Sequence, residues 1–128
     1  MSVELYYICL YGLLIIATTL IQQLTSIANV GLMPVFSSRE GVKFSGMTAR
    51  LERAILNCVV SLAMIAPAIS VLTMTEASSA NIVLAVKVFF WARVVYIIAY
   101  GLNVMGVRSA SWVTSLLSIL YLYFSAMT

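Results

Sequence analysis

Histidine and aspartate are absent from this chain of 128 residues, and charge of either sign is scarce, with 9% of positions charged against 63% hydrophobic. A soluble domain carries about 25% charged and about 45–50% apolar residues, so the composition rules out a water-soluble monomer. Without histidine or aspartate the commonest metal ligands and the usual general base are missing, and no metal site is expected. The two cysteines, Cys9 and Cys58, each stand in an apolar run without a CxxC partner. That argues against a disulfide framework, a zinc ribbon or a redox motif, and both are expected to be buried thiols. A formal net charge of +3 gives no reason to expect a nucleic-acid partner. Its use is in orienting the chain in a membrane.

What the chain does contain is long uncharged runs. Glu4 is the only charge before residue 39; Arg39, Glu40, Lys43, Arg50, Glu52 and Arg53 follow as a cluster, and Glu76, Lys87, Arg93 and Arg108 complete the set. A helix needs about 20 apolar residues to cross the hydrocarbon core, which leaves room for four spans and short connections. The expectation is a single domain over residues 1–128, all-α, an integral membrane four-helix bundle in contact with the lipid bilayer.

The first run extends from Val3 to about Met33. It is too long for the apolar region of a signal peptide and has no positive flank before it, so it is expected to stay as a transmembrane helix. Gln22, Gln23 and Asn29 should lie toward the interface or the bundle interior, because an unpaired amide is costly in lipid. Pro34 and VFSSREGVKFSGMT form the first loop. The second helix is expected over about 49–74, with Pro67 tolerated as a kink. TEASSAN is the second loop, with Ser78 or Ser79 as the N-cap of the third helix. That helix covers about 81–104, a tight turn around Gly106 comes next, and the last helix covers 108–127.

Lys and Arg collect in the first loop and beside the third turn, while the second loop holds only Glu76 and both termini have neither. The positive ends are therefore expected on the cytoplasmic side and both termini outside the cytoplasm. Tyr6, Tyr7, Tyr11, Tyr121 and Tyr123 gather at the opposite end, where an aromatic belt is expected.

Arg50, Arg53 and Asn57 stand at i, i+3 and i+7, so they share one helix stripe. Arg93, Tyr96 and Tyr100 repeat the spacing on the third helix. An arginine at a helix centre costs about 2.5–3.5 kcal/mol on insertion scales and normally faces a bundle interior or a wet cavity. Two arrangements satisfy it. In one, Glu52 and neighbouring carbonyls pair with Arg93 or Lys87 and hold the helices together. In the other, guanidinium forks grip the carboxylates of an anionic ligand at the cytoplasmic end and tyrosine hydroxyls complete the hydrogen bonds.

Four stretches, GLMPVFSSRE, GMTARLERAILN, VKVFFWARVVYIIAYGLNVMGVRS and RSASW, resemble the MAPEG family, the membrane-associated proteins of eicosanoid and glutathione metabolism, and in particular its small bacterial members. Such members typically show an RLERAxxNxxE run and a YFWARxxYxxxY run in corresponding places. The resemblance implies a homotrimer of four-helix bundles in a bacterial inner membrane, with glutathione held between subunits near the cytoplasmic face. By position Arg50, Arg53 and Asn57 look like ligand-gripping residues, Tyr96 and Tyr100 like the aromatic pair, and Arg108 like the arginine that stabilises the glutathione thiolate. A guanidinium beside a thiol lowers its pKa, which fits that role. The chain also departs from the pattern. Val60 replaces the acid three positions after the asparagine, Ser61 and Ala63 replace the aromatic and proline that often follow, and Ile55 sits where active members carry a polar side chain.

Two functions remain open on these residues. One is a glutathione-dependent transferase or peroxidase acting on a lipophilic electrophile. The other is a non-catalytic subunit that keeps the fold and assembles with other membrane proteins. A transporter or channel has little support, since there is no broken helix pair and no midplane acid.

Overall fold

The computed structural model describes all 128 residues, and they form five helices without strands. They are α1 (Val3–Val30), α2 (Leu32–Phe36), α3 (Gly46–Met74), α4 (Ala80–Gly101) and α5 (Met105–Met127). Four of them, α1, α3, α4 and α5, are long and apolar enough to cross a membrane. Ser2 caps α1 by accepting from the Leu5 amide, and Ser79 caps α4 by accepting from the Ile82 amide. Ser78 instead donates to the buried Glu4 carboxylate, tying the α3–α4 turn to the start of α1.

The helix ends differ from the sequence expectation at three places, and at two of them a residue of positive φ sets the end. The first helix stops at Val30, not Met33, because Gly31 takes φ 92° and starts the short α2, which absorbs Pro34 at its third position. The second begins at Gly46. The third ends at Gly101, and the turn is made by residues 102–104, with Asn103 at φ 61°. Asparagine enters this left-handed region more readily than other non-glycine residues. Gly106 is therefore inside α5 and not the turn.

The packing is a rhombus. α3 and α4 lie against each other at the centre, α1 and α5 each rest on both, and α1 and α5 do not touch. Half of the apolar window of α4 is buried, against 17% of that of α1, so α4 is the axis of the molecule. The α4–α5 contact is close because both faces carry small side chains. Ala85, Ala92 and Ala99 are buried on α4, and Ser111, Ser115 and Ser118 on α5. Those serines return their hydroxyl protons to carbonyls of their own helix, Ser111 to Val107, Ser115 to Trp112 and Ser118 to Thr114. Small residues let backbones approach in a medium where hydrophobic exclusion between helices is weak.

α1 is held on the other side by Tyr11. It is fully buried, donates to the Cys58 carbonyl at 2.9 Å, bonds the Ser61 hydroxyl and meets the Phe89 ring edge-on. This corrects the expectation of a belt containing Tyr11. Tyr6 and Tyr121 are exposed, but Tyr7 packs edge-on against Phe90 and Tyr123 donates to the Met64 carbonyl. Cys58 is buried as expected, whereas Cys9 is exposed on the outer face of α1. Gln22 is buried, Gln23 accepts from Arg39, and Asn29 bonds Ser45. The amides near the end of α1 thus fasten the loop of residues 37–45 to the bundle.

The alternating directions of the four long helices bring Arg39, Lys43, Arg50, Arg53 and Arg108 to one end, against Glu40 and Glu52, and leave Glu4 and Glu76 at the other. With positive ends retained in the cytoplasm, a reporter enzyme that folds only outside the cytoplasm is expected to be active after Thr128 and silent when inserted after Val42. The reverse pattern would overturn this orientation.

Candidate functional site

Arg93 is 1% exposed in the interior of α4, and its hydrogen-bond partners include no carboxylate. One terminal nitrogen donates to the Asn57 carbonyl oxygen at 2.7 Å and to the Cys58 sulfur at 3.1 Å, both on α3. The other reaches the Ser115 hydroxyl on α5 at 3.5 Å, and the guanidinium lies 4.1 Å from the centre of the Tyr96 ring. Its Nε has no partner. A hydrogen bond from a charged donor contributes about 1.5–3 kcal/mol and a desolvated cation–π contact about 2 kcal/mol. Asn57 and Tyr96 together therefore offset an insertion cost of about 2.5–3.5 kcal/mol without an acid. Glu52 is not the partner that the ion-pair arrangement required. It is exposed and lines a shallow pocket with Arg39, Lys43 and Arg53, five residues nearer the helix end than Asn57.

This contact fixes the chemistry of Asn57. An arginine has donors only, so the amide oxygen must face Arg93, and the amide N–H2 remains as a donor on a side chain that lines a cleft. The cleft has a volume of about 430 Å³, and Asn57, Tyr96, Tyr100, Arg108, Ser109 and Trp112 form most of its wall. Tyr96 and Tyr100 meet edge to face at 5.6 Å, and the Arg108 guanidinium lies 4.8 Å from the Tyr100 ring centre. From the interior to the membrane surface the order is Arg93, Tyr96, Tyr100, Arg108, cation and ring at either end of an aromatic pair.

Arg50 and Arg53 come to the same end of α4 from α3. Arg50 Nε donates to the Gly101 carbonyl at 3.1 Å, and Arg53 Nε to the Tyr100 hydroxyl at 3.2 Å. Each is steered by Nε alone, so the planar terminal fork of each stays free for an anion. Arg108 makes no hydrogen bond through its side chain and is held by stacking. All six residues singled out in the sequence thus converge, four of them on the cleft wall (Asn57, Tyr96, Tyr100, Arg108) and two on its rim (Arg50, Arg53). Trp112 and Ser109 also line it, and Ser115 supports Arg93. The Ser111, Ser115, Ser118 spacing on one face of α5 carried a signal for the last, and the other two stand in the RSASW stretch without having been singled out there.

The sequence model of the MAPEG family matches residues 3–128. No curated protein and no solved structure matches the chain.

Two substitutions separate the deep and superficial parts of the cleft. Tyr100→Phe removes a half-exposed acceptor and should change the unfolding free energy in detergent by less than about 1 kcal/mol. Tyr96→Leu takes away the ring under a desolvated guanidinium and should cost about 2 kcal/mol or more. Equal effects in thermal unfolding would contradict the assignment of Tyr96 to the support of Arg93.

Proposed function

The chain belongs to the MAPEG family, and from that premise we propose that its cleft binds glutathione and presents the thiolate to a lipophilic electrophile arriving from the bilayer. The observation that carries this reading is the set of three guanidinium groups at one membrane end, Arg50, Arg53 and Arg108, none of whose terminal nitrogens has a protein partner. Glutathione has two carboxylates and an ionisable thiol. Arg50 and Arg53 grip carboxylates with their free forks, and the Asn57 N–H2 and the tyrosine hydroxyls supply single hydrogen bonds between them. Arg108, placed over Tyr100 beside apolar Trp112 and Val113, stabilises the thiolate over the thiol. The tripeptide supplies the nucleophilic sulfur, whose electron pair forms the new carbon–sulfur bond as the electrophile's leaving group departs with the pair of the bond that breaks. Assembly as a homotrimer is part of the same proposal, and the exposed stripe Leu13, Ile16, Leu20 and Leu24 on α1 offers an apolar face for lipid or a neighbouring copy.

Val60 favours a second reading. Its side chain is 55% exposed, at the position where the family run carries an acid, and the cleft wall contains no carboxylate to pair with the amino group of a bound peptide. A chain that lost the acid and kept the fold would act as a non-catalytic subunit of a membrane assembly.

Calorimetry in detergent separates the two. Glutathione is expected to bind the native protein, and Arg53→Ala to weaken binding at least tenfold, the loss of one charge-assisted contact of about 1.5 kcal/mol or more. Absence of heat at millimolar glutathione, with heat restored by Val60→Glu, would establish the non-catalytic reading. The Arg108→Gln variant is expected to keep part of the affinity but lose the ultraviolet thiolate band of the bound peptide at neutral pH. An undiminished band would remove Arg108 from the role given to it.

A further inference from the structure

On a different side of α5 from the cationic cleft, α4 and α5 enclose a second groove of about 590 Å³. Its α5 wall is Val107, Ala110, Ser111 and Thr114, whereas Arg108, Ser109, Trp112 and Val113 face the cleft. Leu84, Val88 and Thr114 also line the adjoining hollow that reaches Asn81 and Tyr121, so the groove runs continuously from the Glu76 end of the helices to Val95. Two of its residues are out of place for a surface that meets only bulk hydrocarbon. Lys87 is exposed seven residues into α4, about 10 Å below its start, and no side chain accepts a hydrogen bond from it. Trp91, one turn deeper and 58% exposed, lies near mid-membrane, whereas indoles facing lipid prefer the interface.

We propose that this groove is a binding site for one anionic phospholipid of the leaflet on the Glu76 side, its phosphate on the Lys87 ammonium and one acyl chain running down the groove to Trp91. The dimensions agree. From the start of α4 at Ala80 to Trp91 is eleven residues, about 16 Å, close to the depth of one leaflet, about 15 Å or half the hydrocarbon core. A lysine stem lies along apolar surface and lifts its ammonium toward the headgroups, where the Asn81 amide and Tyr121 hydroxyl line the upper part of the groove. A second copy of the chain is the less suitable occupant. Glu40 and Glu52 are at the opposite membrane end and Glu4 is buried against Ser78, which leaves only Glu76, in the loop above the hydrocarbon, to meet Lys87.

Trp91 reports on its own occupant. Trp112→Phe leaves it as the single indole, since the chain has two tryptophans, and quenching is then measured in phosphatidylcholine vesicles containing a minor fraction of phosphatidylglycerol, with brominated acyl chains on one lipid or the other. Brominated phosphatidylglycerol is expected to behave as if enriched about fivefold at Trp91, the ratio expected for one lysine facing an anionic headgroup. Lys87→Gln should abolish the enrichment and Lys87→Arg keep it. Quenching by the two lipids in proportion to their abundance would overturn the proposal in favour of bulk lipid, and weak quenching by both in favour of a protein neighbour. If Trp112→Phe does not fold, native mass spectrometry of the unaltered protein and of Lys87→Gln reads the same question, with retained phosphatidylglycerol expected only in the former.

Discussion

A guanidinium with no carboxylate to meet it, enclosed between three helices, is the constraint on which the rest of the structure depends. Arg93 stands at the axis of the bundle and touches α3 through Asn57 and Cys58, its own helix through Tyr96, and α5 through Ser115. In a bilayer the helices gain little from excluding water from one another, and packing and polar contacts decide their arrangement. A buried cation whose stabilisation is divided among three helices makes their relative positions mutually dependent. Sliding α3 by one turn would remove the Asn57 oxygen from Arg93 and leave a charge without its strongest partner. The small residues along α4 and α5 allow that approach, and Tyr11 ties α1 to the same level of α3 through Cys58 and Ser61.

The outer charges follow from this inner one. Because α3 is set in register by Asn57, the arginines one and two turns nearer its start fall beside the end of α4, where Gly101 and Tyr100 take their Nε groups. Because α5 is set by its serine face, Arg108 falls over the Tyr100 ring. Three cations thereby gather at one membrane surface, and although Glu52 lines a pocket beside Arg53, no carboxylate accepts a hydrogen bond from any of them. Such a cluster is unfavourable by itself and becomes favourable when an anion occupies it, which is the electrostatic case for a ligand with two carboxylates and a thiolate. Lys87, exposed on α4 toward the other membrane end, poses the same problem, for which the proposed occupant is a lipid headgroup.

Much of this was legible in the sequence because charge is so rare there. Each stripe, Arg50–Arg53–Asn57 and Arg93–Tyr96–Tyr100, could be read from spacing alone, and the helices were plain from their uncharged runs. The partner of Arg93 was not legible. Glu52 was the expected choice by charge, but depth along the helix decided for Asn57, and depth is a tertiary quantity. Tyr11 looked like a belt residue because tyrosines are common at interfaces, yet Ser61 and the Cys58 carbonyl gave its hydroxyl an interior partner. The turn between α4 and α5 was placed at Gly106 on composition, while the left-handed residue is Asn103, whose suitability for that conformation is a weaker signal than glycine.

The central claim is that the Arg93–Asn57 contact couples α4 to α3. A double-mutant cycle with Arg93→Met, Asn57→Leu and the pair, followed by reversible unfolding in detergent, measures that coupling and removes the general cost of burying a charge from the comparison. The account predicts a coupling of about 1.5 kcal/mol or more, the range for a hydrogen bond to a charged group. A coupling below about 0.5 kcal/mol, with the two single losses simply adding, would show that the helices find their places without it.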